Sequence, residues 1–373
     1  MKPLVSSDAG PAGGARPATG FPSRDDDETK LSRLDRLQPD ASNARPFISV
    51  AVPTFRRPDT ISRTIDSILG QDFSNWELVV SDDEGRQGPS WAILDEYARN
   101  DPRVRIVENH GERGQVENTN NAMLACTGNW IKLLHDDDWL APGALKRFAE
   151  ISLKHPSAAF MTCAANVVEE GRVILRSAPP EDNQVSLYSS QQCLTDLYLV
   201  RTTRSLGIIP STLLINSNVI HAGCRMRAHK SIPAGVDQLF FVDLARHGEM
   251  VAINEGLIFY DATRHPSITT TKSYEDVDEV TLAVKQLNWR LIEDREGLPD
   301  PETLLRALRV ARIPARFRYQ SWRATMRDAV QILRPSVMRI ANQYVREYLF
   351  RIRPKLGPLQ TRRRAGQSGE LAG

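Results

Sequence analysis

The first half of the chain alternates short apolar runs with segments of helical periodicity. After Pro58, for example, Ile61, Ile65, Ile68 and Leu69 share one helical face at the spacing i, i+4, i+7 and i+8. Strands that alternate with helices predict an α/β fold in which helices flank a mostly parallel sheet. The predicted strands of this half are Phe47–Val52, Trp76–Ser81, Val104–Val107 and Trp130–His135, and further helices are predicted over Trp91–Ala98 and Val116–Cys126.

The second half repeats the pattern less regularly. A helix is predicted from Pro142 to about His155, another begins at Asp237, and the chain is mostly helical from about Asp276. Residues 176–235 have no readable period, and we expect them to shape a substrate-dependent part of the molecule. The strands predicted in this half are Ala158–Ala165, Arg172–Leu175 and Met250–Tyr260.

Composition changes this picture mainly at the two ends of the chain. Residues 1–45 are rich in Gly, Ala, Pro, Ser and charge, so we predict disorder there and again over 357–373. Residues 301–365 carry sixteen Lys and Arg against three Asp and Glu, although the whole chain has a net charge of only +2. This basic region is either a solvated helical face packed on the rest of the chain or an amphipathic surface that binds anionic lipid head groups.

Several classes of protein do not fit the sequence. No apolar stretch approaches the ~18 residues of a membrane span, and the N-terminal segment lacks a signal-peptide core. The four cysteines are far apart and form no C-x-x-C pair, so we expect reduced thiols in a cytoplasmic protein. Neither glycine-rich nucleotide-binding signature is present. Nucleic acid is not an expected partner, because no base-stacking motif accompanies the basic region.

Acidic residues follow two of the predicted strands. Asp82 and Asp83 end the second strand, and Asp136–Asp138 end the fourth. The carboxyl ends of parallel strands meet at one edge of the sheet, where ligands bind. Adjacent carboxylates repel one another, and hard cations such as Mg²⁺ or Mn²⁺ relieve that repulsion. A solvated loop or a helix N-cap is the alternative for Asp136–Asp138. Phe55, after the first strand, lies either against a nucleobase or in the core.

These segments together resemble the family 2 inverting glycosyltransferases over roughly residues 47–270. Each motif alone is loose, but their common order is specific. They are Val52–Pro58 with Trp76–Asp83, Asn118–Ala122 with Ala125, Gly128–Ile131, Leu134–Pro142, Gly235–Leu239, and Tyr260–His265 with Ser267.

The resemblance implies a GT-A fold, a nucleotide-sugar donor and a divalent metal, Mn²⁺ or Mg²⁺. It assigns the metal first to Asp137, with Asp138 as a helper and Asp136 directed towards the ribose or the metal. His265 is a further metal or diphosphate contact. His135 occupies a position that is often acidic in the family, so the metal is expected on the residues after it. The donor-binding residues that it implies are Pro53, Thr54, Phe55, Arg57, Asp82, Asp83, Asn120 and Asp136.

The resemblance also matches Asp237 to the base that takes a proton from the acceptor hydroxyl, whereas the residue alone fits a helix N-cap equally well. It implies an inverting hexosyltransferase that moves a sugar, with a UDP-sugar favoured as donor, to a hydroxyl acceptor. Expected acceptors are a glycan, a lipid-linked glycan, or another cell-envelope or secondary-metabolite precursor. A nucleotidyltransferase and a non-catalytic nucleotide-sugar-binding protein remain as alternatives.

The expected organisation is a glycosyltransferase domain over 46–272 followed by a basic helical extension over 273–356. The expected location is the cytoplasm, with peripheral attachment to the inner face of the membrane if the basic helices bind anionic lipid.

Overall fold

The computed structural model describes residues 47–169, 171–175, 185–199, 209–227, 236–262, 274–311, 335 and 337–339. Its strands are β1 (Ile48–Thr54), β2 (Trp76–Asp82), β3 (Val104–Glu108), β4 (Trp130–Leu133), β5 (Trp139–Leu140), β6 (Phe160–Glu169), β7 (Arg172–Leu175), β8 (Val185–Tyr188), β9 (Leu213–Asn216) and β10 (Met250–Asp261). Its α-helices are α1 (Ile61–Leu69), α2 (Trp91–Asn100), α3 (Gln115–Leu124), α4 (Ala144–Lys154), α5 (Ser190–Leu199), α6 (Ser217–His221), α7 (Val236–Ala245), α8 (Tyr274–Leu291) and α9 (Pro301–Ala311).

One sheet runs through the described part of the chain in the order β3-β2-β1-β4-β9-β6-β10-β5, with β7 beside β6 and β8 beside β10. The first four strands are parallel, as predicted. Strand β9 then enters antiparallel between β4 and β6, so the second half of the sheet is mixed. The α/β class with flanking helices is confirmed, and the antiparallel strands are an addition to the expected topology.

The three central parallel strands, β1, β2 and β4, are mostly apolar because both of their faces are covered. Every residue of β2 and β4 is buried. Helix α1 supplies part of this cover through Ile61, Ile65 and Ile68, the same stripe that its sequence spacing predicts.

Helices α8 and α9 fall in the predicted helical extension. Val284 of α8 and Leu304 and Leu308 of α9 belong to the same buried cluster as Ile131 and Leu133 of β4. These two helices therefore pack as part of the main core, and the predicted boundary near residue 272 stays a prediction. Most of the basic region lies outside the described residues.

All four cysteines are buried and free, which agrees with the expectation of reduced thiols. Within the described residues, no helix is both long enough and apolar enough to span a bilayer.

Candidate active site

The carboxyl ends of β1, β2 and β4 lie side by side, because β1 pairs in parallel with both of its neighbours. Thr54 at the end of β1 is in register with Asp82 at the end of β2, and Ala51 is in register with Leu133 on β4. The turn that follows β4, residues 135–138, is called the acidic turn below. The two acidic strand ends thus meet at one edge of the sheet, as predicted.

Asp136 links the acidic turn to β1. Its Oδ2 atom accepts hydrogen bonds from the Thr54 hydroxyl at 2.7 Å and from the Phe55 amide at 3.3 Å. Burial raises the pKa of Asp136 to about 6, although the bond from Thr54 opposes the shift. The predicted donor-binding residues Thr54, Phe55 and Asp136 are therefore brought together.

Asp138 is the most enclosed carboxylate of the turn, with no exposed surface. Its Oδ1 atom accepts a hydrogen bond from the Asp261 amide at 3.0 Å, whereas Oδ2 has no hydrogen-bond partner among the described residues. Burial raises the pKa of Asp138 to about 7, a nearby charge on Asp137 adds to the shift, and the Ser211 hydroxyl opposes it. The N-cap alternative is wrong for this residue, because α4 begins at Ala144 behind the N-cap residue Gly143.

Asp137 and His135 complete the acidic turn. Their ligand atoms and one carboxylate oxygen of Asp138 all lie within 4.8 Å of one another, so the three side chains could hold a metal ion. The buried oxygen of Asp138 that lacks a partner fits such an ion, since an unpaired buried carboxylate is costly without a positive charge. The structure thus brings the predicted ligands Asp137 and Asp138 together and adds His135. The third predicted ligand, His265, lies outside the described residues.

Asp237 lies in the first turn of α7 and is half-buried. Its Oδ1 atom accepts a hydrogen bond from the Gln238 amide at 3.0 Å. Burial lowers the pKa of the His135 imidazole, and the carboxylates of Asp137 and Asp237 oppose that shift. The predicted base therefore stands within electrostatic reach of the acidic turn. Because α7 begins at Val236, Asp237 lies one position inside the helix and not at its N-cap.

The two aspartates after β2 are buried and differ in their partners. Both oxygens of Asp83 accept hydrogen bonds, from the Asn109 side chain at 2.7 Å and from the Gly114 amide at 2.9 Å. Asp82 accepts one from the Glu84 amide at 3.0 Å through Oδ1, while its Oδ2 has no partner among the described residues. Burial raises the pKa of Asp82.

The loop after β1 exposes an aromatic ring at the same edge. Phe55 is 48% exposed, so the alternative that it is a core residue is wrong. Arg56 adopts a left-handed backbone with φ of 54° and pairs with Glu84 at 2.6 Å. A non-glycine residue in this conformation marks strain that the surrounding contacts must offset. The predicted residues Pro53 and Arg57 help to hold this loop. Pro53 is in register with Ser81 of β2, and the backbone amide of Arg57 donates a hydrogen bond to the Ser90 hydroxyl.

Asn120 makes different contacts from its predicted neighbours at the edge. Its side-chain nitrogen donates a hydrogen bond to the Met226 carbonyl at 2.8 Å, and its side-chain oxygen accepts one from the Met226 amide at 2.9 Å. Asn118 instead donates to the Thr54 carbonyl at 3.0 Å and accepts from the Ser81 hydroxyl at 2.6 Å. Asn118 thus connects β1 and β2 beneath the acidic ends. Its role in the sheet edge was missed, although it belongs to the same Asn-rich motif.

Two basic side chains that support the acidic turn were also missed. Arg63 donates to the Asp137 carbonyl at 2.8 Å and to the Asp261 carboxylate at 2.7 Å, and it lies over the Trp139 ring. Buried Lys132 donates to the carbonyl of Leu213 at 3.3 Å and to that of Ser211. The sequence signal that could have indicated the role of Lys132 is the presence of a lysine inside an otherwise apolar strand.

The sequence comparisons point to one family, and the structure comparison points to one fold. Residues 49–211 match the model described as glycosyl transferase family 2. A Campylobacter jejuni protein named GalNAc(5)-diNAcBac-PP-undecaprenol beta-1,3-glucosyltransferase is 35% identical over 101 residues, which is 27% of this chain and 32% of that protein. An Escherichia coli protein named UDP-Glc:alpha-D-GlcNAc-diphosphoundecaprenol beta-1,3-glucosyltransferase WfgD is 27% identical over 136 residues, 36% of this chain and 52% of that protein.

The match therefore spans between about a third and a half of the length of these two relatives. Among solved structures, S. aureus TarS 1-349 in complex with UDP-GlcNAc aligns with a TM-score of 0.53 and 18% identity, covering 83% of this chain and 88% of that one. At this identity the likeness establishes the fold, which is that of a GT-A glycosyltransferase.

Proposed function

Because this chain belongs to glycosyl transferase family 2 through residues 49–211, we propose that it is an inverting enzyme. In this proposal it moves a hexose from a nucleoside-diphosphate sugar to a hydroxyl group of an acceptor. The observation that carries the proposal is the meeting of two acidic strand ends, Asp82-Asp83 and Asp136–Asp138, beside an exposed aromatic ring. That edge of the sheet is where open α/β folds bind ligands.

The donor is held, in this proposal, by the loop after β1 and the two acidic ends. Phe55 offers an exposed face to the nucleobase, and Asp82 and Asp83 accept hydrogen bonds from the base or the ribose hydroxyls. Asp136 is fixed by the Thr54 hydroxyl, which keeps its carboxylate at the junction of β1 and β4. Pro53, Arg57 and Asn120 remain proposed donor-site residues that act through the loop or through α3.

Asp137 and Asp138 would hold a divalent cation, and His265 stays a proposed further contact. When bound, such a cation neutralises negative charge on the diphosphate leaving group. The protein's own residues keep these two aspartates in place. Arg63 fixes the backbone carbonyl of Asp137, and the Asp261 amide fixes one oxygen of Asp138.

Asp237 is the proposed base. Its carboxylate accepts the proton of the acceptor hydroxyl while that oxygen forms a bond to the anomeric carbon of the sugar. The bond between this carbon and the diphosphate oxygen breaks at the same time, and the nucleoside diphosphate leaves. A single displacement from the opposite face inverts the anomeric centre. A half-buried carboxylate within electrostatic reach of the acidic turn supports this role.

The relatives favour the substrate classes expected from the sequence. The two bacterial relatives are named as transferases acting on sugars linked to undecaprenol diphosphate, and TarS has been solved with UDP-GlcNAc. We therefore favour a UDP-sugar as donor and a lipid-linked glycan as acceptor. The basic region over 301–365 would suit such an acceptor if it contacts anionic lipid at the cytoplasmic face of a membrane.

The donor experiment supplies UDP-glucose, UDP-GlcNAc, UDP-GalNAc and GDP-mannose with Mn²⁺ or Mg²⁺, and measures release of nucleoside diphosphate. We expect one donor to be preferred and its turnover to fall at least about 100-fold in Asp137→Ala, because the cation loses a carboxylate. Asp72→Asn is the matched control, since Asp72 is an exposed carboxylate on the surface. Turnover that survives Asp137→Ala would exclude the metal assignment.

The base experiment compares Asp237→Asn with the same control. The variant is expected to bind the donor with unchanged affinity and to lose at least about 100-fold in transfer to acceptor. An intact transfer rate would rule out Asp237 as base. Release of pyrophosphate would instead favour a nucleotidyltransferase, and donor binding without any turnover would favour a non-catalytic binding protein. The product anomer, read by NMR, tests inversion directly.

The membrane experiment uses the full chain and liposomes with and without anionic lipid. Binding should require anionic lipid, weaken as salt is raised, and fall when Arg362, Arg363 and Arg364 are replaced by Gln. Equal binding to neutral liposomes would exclude the electrostatic contact.

A further inference from the structure

His135 is the first residue of the acidic turn and differs in chemistry from the aspartates that follow it. One of its ring nitrogens, one oxygen of Asp137 and one oxygen of Asp138 lie within 4.8 Å of one another. Ligands of one small divalent cation, each about 2.1 Å from the ion, lie up to about 4.2 Å apart. The three atoms therefore need to move by less than about 1 Å each to share an ion.

The main chain of His135 is held in this place by β1 and by the short turn Pro210–Thr212 that precedes β9. Its amide donates to the Ser211 hydroxyl at 3.0 Å, and the amide of the preceding Leu134 donates to the Ala51 carbonyl at 3.0 Å. Ser211 is itself tied to β4, because its carbonyl accepts a hydrogen bond from Lys132. The imidazole thus projects from an anchored main chain, as a ligand on a preorganised scaffold does.

A second observation shows that the cluster is more than a group of acids. Asp138 is fully buried, and its Oδ2 atom has no hydrogen-bond partner in the described part of the chain. Native proteins rarely leave a buried carboxylate oxygen unpaired, since its desolvation is not offset. A cation held between Asp138, Asp137 and His135 would satisfy that oxygen.

We propose that His135 supplies a nitrogen ligand to the cation, and that this ligand makes the site prefer transition metals over Mg²⁺. Mg²⁺ prefers an all-oxygen shell, whereas imidazole raises the affinity of ions later in the first transition row. Co²⁺ should therefore bind most tightly of the three ions Co²⁺, Mn²⁺ and Mg²⁺. The inference rests on the proposed function, because it concerns the same cation, and it specifies which ion the site takes.

The test titrates the metal-free, full-length protein with CoCl₂, MnCl₂ and MgCl₂ by calorimetry, with and without UDP. His135→Asp offers a carboxylate in place of the imidazole, and His221→Asp makes the same change at an exposed histidine. We expect the ratio of the Mg²⁺ to the Co²⁺ dissociation constant to fall at least about tenfold in His135→Asp, because Co²⁺ loses nitrogen and Mg²⁺ gains oxygen. His221→Asp should leave the ratio unchanged.

The visible absorption of bound Co²⁺ gives a second readout that is independent of turnover. The bands should shift in His135→Asp, because the ligand field changes when oxygen replaces nitrogen. If His135→Asp does not fold, His135→Gln serves instead, and it should weaken Co²⁺ binding more than Mg²⁺ binding.

An equal Mg²⁺ to Co²⁺ ratio in wild type and His135→Asp, with unshifted bands, would overturn the role of His135 and leave the cation site intact. No binding of any of the three ions by the wild type, with or without UDP, would overturn this inference together with the metal part of the proposed function. Turnover of a nucleotide sugar without added metal would then show that the transferase proposal survives on its own.

Discussion

The buried carboxylate of Asp138 should make the metal-free protein less stable at neutral pH than at mildly acidic pH. Burial raises the pKa of Asp138 from the usual 3.8 to about 7. Between these two values the folded protein holds a proton that the unfolded chain releases. Stability from this group is therefore greatest at low pH and is lost as pH rises toward 7. Asn at this position resembles the protonated acid, so Asp138→Asn should remove the dependence.

The magnitude follows from the two pKa values. With 3.8 in the unfolded chain and about 7 in the folded one, the free energy of unfolding should fall by about 2–3 kcal/mol between pH 5 and pH 8. Asp136, whose pKa is raised to about 6, adds a decrease of the same sign over the lower part of this range. The difference between wild type and Asp138→Asn isolates Asp138. The unfolding free energy of Asp138→Asn minus that of the wild type should therefore be about 2–3 kcal/mol larger at pH 8 than at pH 5.

Guanidinium unfolding followed by tryptophan fluorescence measures these free energies in chelator-treated protein at several pH values. Asp72→Asn is the control, because an exposed carboxylate should give a profile parallel to that of the wild type. Added Co²⁺ or Mn²⁺ should stabilise the wild type by about 2.7 kcal/mol at 100 times its dissociation constant, and Asp138→Asn much less. A wild type that becomes more stable from pH 5 to pH 8, in parallel with Asp138→Asn, would refute this reasoning.

Two further predictions concern a glycine and the exposed aromatic ring. Gly128→Ala should destabilise the protein by at least about 1–3 kcal/mol in the same unfolding assay, because the new Cβ would lie 2.7 Å from the Ser49 amide nitrogen. Gly111→Ala, which meets no atom closer than 3.5 Å, should be near neutral, and equal losses would contradict the clash. Phe55→Ala should weaken UDP binding by about 1–3 kcal/mol in calorimetry through lost stacking, without changing the unfolding free energy. Leu187→Ala removes a similarly exposed apolar side chain as its control, and unchanged UDP affinity in Phe55→Ala would argue against a base contact.

The parallel half of the sheet could be predicted because its signals are local. Strands covered on both faces appear as continuous apolar runs, and the end of each run is marked by polar residues. The predicted ends of β2 and β3, Ser81 and Val107, differ from the observed ones by a single residue. Since neighbouring parallel strands end at one edge, the closeness of the two acidic ends followed without knowledge of side-chain geometry.

The antiparallel strands β5, β8 and β9 were missed because their partners are far away in the sequence, whereas β7, which pairs with the adjacent β6, was predicted. β9 has only four residues, and it pairs with β4 more than eighty residues earlier. Nothing within Leu213–Asn216 specifies that partner. The side chains that hold the acidic turn in place likewise make contacts with residues far away in the sequence. Lys132 reaches the Ser211 carbonyl, and Arg63 reaches Asp261, across 79 and 198 residues.

The acidic residues look alike in the sequence, but burial and hydrogen bonding separate their roles. Asp83 has both oxygens occupied by Asn109 and Gly114, so it contacts a nucleoside only if one of these partners gives way. Asp138 has an oxygen with no partner in the described structure, and ionisation there is opposed by burial. A cation would favour that ionisation, since it stabilises the charged form. The same buried carboxylate that lowers the stability of the metal-free protein at neutral pH thus gives a bound cation its stabilising effect.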